Sequence, residues 1–389
     1  MSRWKSGVFV VLTLLAAVTS AQAQQRRPMT VVLIPTTHMD IDFTQPPAGS
    51  YKRYVECIAQ GVEACEADPT ARFSVQIASA TAAFLEARPE LADRFAELVR
   101  QGRIEVCVNW TNPHYSELSG EHLVRQIAWS RWWLHEKLGV WPAVADNGEL
   151  SDVTPQLAQV MVRSGVLYYH AYKSGCPSLT AGGRDFAGNA WFVGLDGSRL
   201  LYNAQNYNMA EEFGSDRPWG WPEGEPGGQR GLRSIPTGRL LLLTEGGPGW
   251  DDAMPPLDKL CAFVGGWNAD ENCSKKAQYV LGTYADYFAK LRQELDGGAT
   301  IPALSGHTEH GEILYARVWN LARDRAIFEN TITQAQTLGV WCDWLGLEGL
   351  SQEEVEAAWR LAMESSTHNW AFTDQGQRTL EAKAGKARA

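Results

Sequence analysis

Acid and imidazole residues stand just beyond several stretches of this chain that read as β-strands, and their types are those that hold a metal ion or move a proton. His38 and Asp40 follow the apolar run at 30–34. In an extended segment residues i and i+2 point the same way, so one imidazole and one carboxylate can grip one cation. The same spacing equally serves a plain hydrogen-bonded His–Asp pair. Asp146 follows the short strand expected at 142–145 and opens a turn with Asn147 and Gly148, as a turn former or as a site residue. Asp251 and Asp252 follow Trp250 beyond a Gly-Gly-Pro-Gly turn, where an aromatic neighbour could raise one carboxyl into the range of a general acid, or where both acids simply face solvent. His307, Glu309 and His310 follow the last strand, where they line a pocket or simply solvate a loop, the first being the expectation taken. His368 lies just past a helix; alone, its reading is an imidazolium at the helix C-terminus.

Such residues act together only if the elements between them bring them to one face. From 30 to 305 β-like runs alternate with helical patterns. Val55, Ile58, Val62 and Cys65 share one helical face, and Phe73, Val75 and Ile77 alternate as a strand. Leu91, Phe95 and Leu98 mark a helix closed by Gly102, and Ile104, Val106 and Val108 mark the next strand. A long helix is expected over 120–138, and another is announced by Thr154-Pro155 and stopped by Gly165 before a strand at 166–170. Further strands are expected at 190–194, 199–203, 239–244 and 299–304. This alternation predicts an α/β fold, a parallel sheet covered by helices and most simply a β/α barrel, with functional side chains at the carboxyl ends of the strands. After 311 the pattern turns purely helical: one helix over 312–345 and a second opened by the capping box Ser351-x-x-Glu354, with Val355, Trp359 and Met363 on one face. Residues 204–236, rich in Gly, Pro and Trp, read as a long surface loop over a site.

Residues 1–23 read as a signal peptide: Arg3 and Lys5, an apolar run over 7–18, and Ala21-Gln22-Ala23 as the cleavage site. The run is shorter than the roughly 20 residues a bilayer requires, so the mature chain is expected to be exported, periplasmic or secreted, and without a membrane span. The remaining domains are expected at 24–310 for the barrel and 311–375 for the helices, with a solvated tail over 376–389. The chain has 35 Lys and Arg against 45 Asp and Glu, which disfavours a nucleic-acid or anionic-membrane partner. Sixteen tryptophans suit sugar rings, although core filling explains most of them. Seven cysteines show no paired framework; a Cys261–Cys273 bridge fits an oxidising compartment, and an odd thiol remains.

Taken together the motifs resemble glycoside hydrolase family 38, the α-mannosidases. The likeness runs from the His-x-Asp of Thr37-His38-Met39-Asp40 through Ser119-Gly120-Glu121-His122-Leu123-Val124-Arg125-Gln126. It continues in Asp146 with Pro155 nine positions on, Gly311-Glu312-Ile313-Leu314-Tyr315, and the Trp-containing helix from Trp359 to His368. The resemblance implies a seven-stranded barrel followed by helices, with Zn²⁺ held by His38, Asp40, Asp146 and His368. It also implies that Asp146 is the nucleophile and that the proton donor belongs to the pair Asp251–Asp252, for which Asp252 is taken. Phe43 stands where the family usually has tryptophan, Leu150 where it has histidine, and Asn369 where it has aspartate. Family members normally continue into large β-sandwich domains, whereas here 21 residues follow His368.

The expected substrate is a mannose-containing glycan. A vicinal cis-diol would be chelated at the metal, Trp110, Trp250, Phe43 and His307 would lie against the sugar, and hydrolysis would retain the anomeric configuration. Trp110 and Trp250 read equally well as core packing. Two other readings accompany this one: a metal-dependent hydrolase or deacetylase acting on another glycan, and a carbohydrate-binding relative without catalysis.

Overall fold

The computed structural model describes residues 28–39, 41, 46–148, 153–172, 188–205, 232–233, 236–245, 257–306 and 315–367. The expected signal peptide, the site residues Asp40, Phe43, Trp250, Asp251, Asp252, His307 and His368, and most of the expected loop at 204–236 lie outside them.

Strand β1 (Met29–Thr37) leads through α1 (Pro47–Ala67) to β2 (Phe73–Val75), and α2 (Ala78–Ala87) and α3 (Ala92–Arg100) lead to β3 (Ile104–Val106). A helical run of α4 (Gly120–Val124), a π-helical turn (Arg125–Trp129) and α5 (Ser130–Leu138) precedes β4 (Val144–Gly148). Helix α6 (Leu157–Arg163) precedes β5 (Tyr168–Tyr172). There follow β6 (Gly188–Val193), β7 (Arg199–Gln205), β8 (Leu232–Arg233) and β9 (Leu240–Glu245). Helices α7 (Leu257–Ala269) and α8 (Glu271–Ser274), strand β10 (Ala277–Leu281), helix α9 (Tyr284–Asp296) and strand β11 (Ala303–Leu304) complete the α/β part. Two helices come last, α10 (Tyr315–Trp344) and α11 (Gln352–Glu364).

The architecture is the expected α/β barrel type followed by helices, but its strand pairing falls into two sheets. One has the order β3-β2-β1-β9-β8 with β10 also paired to β1; the other has the order β11-β6-β7-β5-β4. The amide of Val108, just beyond β3, donates to the Val144 carbonyl at 2.9 Å and joins one sheet to the other. Pairing is parallel except between β6 and β7 and between β8 and β9. The two strands expected near 190 and 200 thus form a hairpin, because only a short turn separates them and a parallel crossover needs a dozen or more residues.

Strand periodicity divides the interior. Val31 and Leu33 pack outward under the helical layer with Ile58, Val62 and Phe95, whereas Val32 and Ile34 turn inward. There they meet Val144 and Leu201 of the second sheet, Leu240 and Leu242, and the Tyr284, Tyr287, Phe288 and Leu291 face of α9. Continuing the same alternation toward the carboxyl ends, the inward positions become polar: Thr36 and His38, Gln76, Asp146, Gln205 and Thr244, all buried. An apolar floor therefore lies beneath a polar layer.

The helical pair docks through its own core of Ile332, Val355, Trp359 and Ala362, with Trp359 Nε1 donating to Gln336 Oε1 at 2.8 Å. Arg360 lies over Trp110, Trp129 and Trp133, 5.2 to 5.7 Å from their ring centres. Ser351 and Glu354 form the expected capping box. Gly102 and Gly165 adopt the left-handed conformation expected of helix stops.

Other expectations need correction. The helix predicted to start at Thr154-Pro155 begins at Leu157, because the Thr154 carbonyl first closes a turn with the Leu157 amide at 3.0 Å. The segment expected as one helix over 120–138 carries a π-turn. Cys261 and Cys273 are free thiols. Helices α7 and α9 and strand β10 had no sequence expectation. Among the described residues no helix is long and apolar enough to cross a membrane.

Glu105 of β3 reaches α9: its carboxylate accepts from the amides of Tyr284 at 2.8 Å and Ala285 at 3.0 Å and from Ser74 Oγ at 3.3 Å. Burial beneath α9 nevertheless raises its carboxyl from 4.5 to about 7. A carboxyl whose folded value lies above its unfolded one is protonated more readily in the folded state. Its contribution to stability is therefore lost as pH rises from about 4.5 to 7. Glu105→Gln is expected to be less stable than wild type at pH 5, with the gap narrowing toward pH 7.5, as read by urea denaturation. A gap constant over that range would refute the assignment.

Candidate active site

Asp146 occupies the centre of the polar layer. It is fully buried in β4, and its strand neighbour in register is His170 of β5, so both side chains leave the sheet on the same face. His170 Nδ1 lies 2.7 Å from Asp146 Oδ1. The other oxygen, Oδ2, accepts from Gln76 Nε2 at 3.1 Å and from the Tyr284 hydroxyl at 3.2 Å. Burial and the neighbouring Asp146 push the Tyr284 phenol well above its ordinary value, so it keeps its proton and acts as a donor. The main chain is held too, since Asn109 Nδ2 donates to the Asp146 carbonyl at 2.9 Å. A buried carboxylate is tolerated where several donors satisfy it, and here they come from the residue just beyond β2, from β5 and from α9.

Gln76 ties Asp146 to His38. Its Oε1 lies 2.8 Å from His38 Nδ1 while its Nε2 faces the carboxylate. An amide that donates to Asp146 presents its oxygen to the imidazole, so His38 is protonated on Nδ1 and carries its lone pair on Nε2. That is the arrangement of a metal-ligating histidine whose second nitrogen is held by an outer partner. Beyond His38 the chain turns sharply, the Ile41 amide donating to the Met39 carbonyl at 2.9 Å. Tyr54 of α1 hydrogen-bonds the Met39 backbone from below, its phenol raised by burial.

A second line of contacts extends from His170. Its Nε2 lies 3.1 Å from Gln205 Oε1, which also accepts from Thr244 Oγ1 at 2.9 Å. The layer thus spans β4, β5, β7 and β9, with Asp146 and His170 at the middle of their strands and Gln205 and Thr244 at or next to the carboxyl ends of theirs, toward the side where an α/β fold gathers its functional groups.

Of the residues singled out in the sequence, His38 and Asp146 come together through one shared amide. His38 and Asp146 are donors suited to a divalent cation; among the described residues no group of three or more His, Cys, Asp or Glu side chains could hold one. Trp110 is 1% exposed and packs edge-on against Trp129 and Trp133, at 5.1 and 5.3 Å between ring centres. It fills the core there and presents no open face to a sugar. Gln76, His170, Gln205 and Tyr284 were missed. Three of them, Gln76, His170 and Gln205, stand at or beyond the carboxyl ends of strands legible in the sequence; Tyr284 opens a helix that was not.

Residues 28–215 match the Glycosyl hydrolases family 38 N-terminal domain. Among solved structures, an alpha-mannosidase from Enterococcus faecalis V583 aligns with a TM-score of 0.70 at 13% identity, over 92% of this chain and 41% of its own. A glycosyl hydrolase family 38 protein from Enterococcus faecalis aligns at 0.63 and 13% identity, over 93% and 38%. A 4-alpha-glucanotransferase from Thermococcus litoralis shares the fold at 0.55 and 12% identity, over 93% and 60%. No curated protein sequence matches the chain. The fold and the family match define a glycoside hydrolase domain. The likeness to family 38 covers residues 28–215, and the chain spans about two fifths of the length of these two Enterococcus faecalis proteins.

Gln76→Leu removes the amide from both partners while keeping much of its volume. Metal affinity, followed by chelator competition, is expected to fall about 10- to 100-fold with the fold retained, the usual cost of losing an outer partner. Affinity equal to wild type would show that Gln76 does not orient the site.

Proposed function

We propose that this protein is an exported, zinc-dependent retaining glycoside hydrolase of the α-mannosidase type, acting on mannose-containing glycans. The observation that carries the reading is Asp146, a buried carboxylate held by three side-chain donors and joined through Gln76 to His38 in the polar layer above the apolar floor. The family match and the fold shared with an alpha-mannosidase support the substrate class.

His38, Asp40, Asp146 and His368 would hold the zinc ion, two imidazole nitrogens and two carboxylates being a suitable donor set. When bound, zinc supplies Lewis acidity and positions that select a vicinal cis-diol such as O2 and O3 of mannose. Asp146 attacks the anomeric carbon as the bond from that carbon to the leaving oxygen breaks, and Asp252, or its neighbour Asp251, gives that oxygen a proton. The same acid then takes a proton from water, which attacks the anomeric carbon and releases Asp146, so configuration is retained. Gln76, His170 and Tyr284 orient the Asp146 carboxylate for its attack and receive it again when water releases it. Trp250, Phe43 and His307 are assigned to the sugar. Neither nucleic acid nor membrane enters this reading.

Release of 4-nitrophenol from its α-mannoside is expected to disappear in Asp146→Ala and on chelation, and to return when zinc is added back to the wild type. Turnover that survives both treatments would eliminate the proposal. Mannoside binding without any turnover in the zinc-loaded wild type would favour the non-catalytic reading, which the replacements at Leu150 and Asn369 motivate.

A further inference from the structure

Helix α10 covers one of its sides and leaves the other bare. Toward α11 and the barrel it turns Phe328, Ile332 and Gln336, and its Glu329 lies 2.6 Å from Nδ1 of His122 in α4. On the outward side Ile327, Thr331, Gln334, Leu338, Trp341 and Leu345 are all exposed. Their spacing alternates between four and three residues, which is the repeat of a seam that pairs one helix with another. A face meant for water alone carries charged and polar residues instead.

This stripe carries no charge. Between Arg325 and Asp343 the one charged residue is Glu329, on the covered side, in a chain of which 21% of the residues are charged. The threonines near the stripe spend their hydroxyls inside the helix, Thr331 Oγ1 donating to the Ile327 carbonyl at 2.8 Å and Thr337 Oγ1 to the Thr333 carbonyl at 2.9 Å. The C-terminal end of the stripe is closed in an ordered way. Gly346 takes the left-handed conformation, its amide donates to the Asp343 carbonyl at 3.1 Å, and the Leu347 amide donates to the Cys342 carbonyl at 2.8 Å. This pair of bonds is how a helix stops at glycine.

Trp341 and Trp344 are 62% and 84% exposed, and Leu338, Leu345 and Leu347 are 60% to 64% exposed. A covered aromatic side chain withdraws about 150–250 Å² from water, so these five residues and Ile327 offer on the order of 600 Å². Two such surfaces reach about 1,200 Å², the size at which specific interfaces begin. Nucleic acid and anionic membrane require basic residues, which the stripe lacks. What fits is an uncharged helix face with the same repeat, and α10 of a second copy presents one. A two-fold contact lets a single surface serve both sides. The net charge of −10 opposes association only through groups away from the seam, which salt screens beyond about 10 Å.

We propose that the protein forms a two-fold dimer in which α10 packs against α10 of a second copy through Ile327, Leu338, Trp341, Trp344 and Leu345. The contact is independent of any metal and of the role given to Asp146.

Sedimentation velocity of the full chain over a concentration series tests this. The wild type is expected to sediment as a dimer, more completely at higher salt, since the seam is apolar and the remaining charge repulsive. Leu338→Asp and Trp341→Asp are each expected to weaken association about 30-fold or more, the loss typical of a central interface anchor. Their far-ultraviolet dichroism should be unchanged, because both positions face water in a single copy. If either folds poorly, the milder Trp344→Ser decides. Leu195→Asp, in the turn between β6 and β7 and 75% exposed, should leave the dimer intact. A monomeric wild type would overturn the proposal, whether or not it binds neutral phospholipid vesicles or a polysaccharide. A dimer that persists in all the α10 variants, or one that salt dissociates, would overturn it as well.

Discussion

A carboxylate withdrawn completely from water is the constraint on which this molecule is organised. Leaving Asp146 without partners would cost several kcal/mol, more than most single interactions return. Its two oxygens are met by an imidazole, an amide and a phenol. Each donor lies in or next to a different element, so the order of β2, β4, β5 and α9 must be right before any of them can act. Donors fixed in advance are also what a nucleophilic carboxylate needs, since no reorganisation is then required when charge moves. The same contacts serve stability and chemistry.

Fixing Tyr284 requires fixing α9, and that duty falls to the first sheet. Glu105 accepts the two amides at the start of α9, where Thr283 and Asp286 close a capping box. The favourable geometry and the raised carboxyl value look contradictory but have one origin. A negative charge suits a helix N-terminus, yet removal from water penalises that charge more strongly than the amides reward it. Glu105 therefore holds Tyr284 in place at the edge of its own ionisation, one strand away from the carboxylate that Tyr284 serves.

Strand alternation makes much of this legible in the sequence. The periodic runs pointed to β1 through β7, β9 and β11, and the placement of His38 and Asp146 beyond or within strand ends put both in one layer. The partners that complete the layer were harder to find because their types are ordinary. Gln76 extends the Phe73-Ser74-Val75 alternation and can be read only by asking which way residue 76 points. His170 was assigned to a strand end, but nothing in the sequence shows that β5 lies beside β4 with Asp146 and His170 in register. Tyr284 looks like core filler, and most of its ring is. Trp110 read equally as a sugar platform and as core packing, and the core won because the neighbouring Trp129, Trp133 and Arg360 come from helices 19 to 250 residues further along the chain. Long-range packing decided each of these cases.

The four residues 109–112 explain how the second sheet and the helical pair keep a common frame. Asn109 donates to the Asp146 carbonyl and Asn112 Nδ2 to the Gly148 carbonyl at 2.8 Å, so the outer residues of this segment brace the strand that carries the nucleophile candidate. The two residues between them look the other way. Trp110 and Thr111 give their amides to Gln126, and Thr111 reaches the Met363 carbonyl of α11. Displacing α11 would then pull on Thr111, and through its neighbours on β4. The helical pair and the carboxylate layer are thereby mechanically one unit, although no side chain of α11 is among the described donors to Asp146.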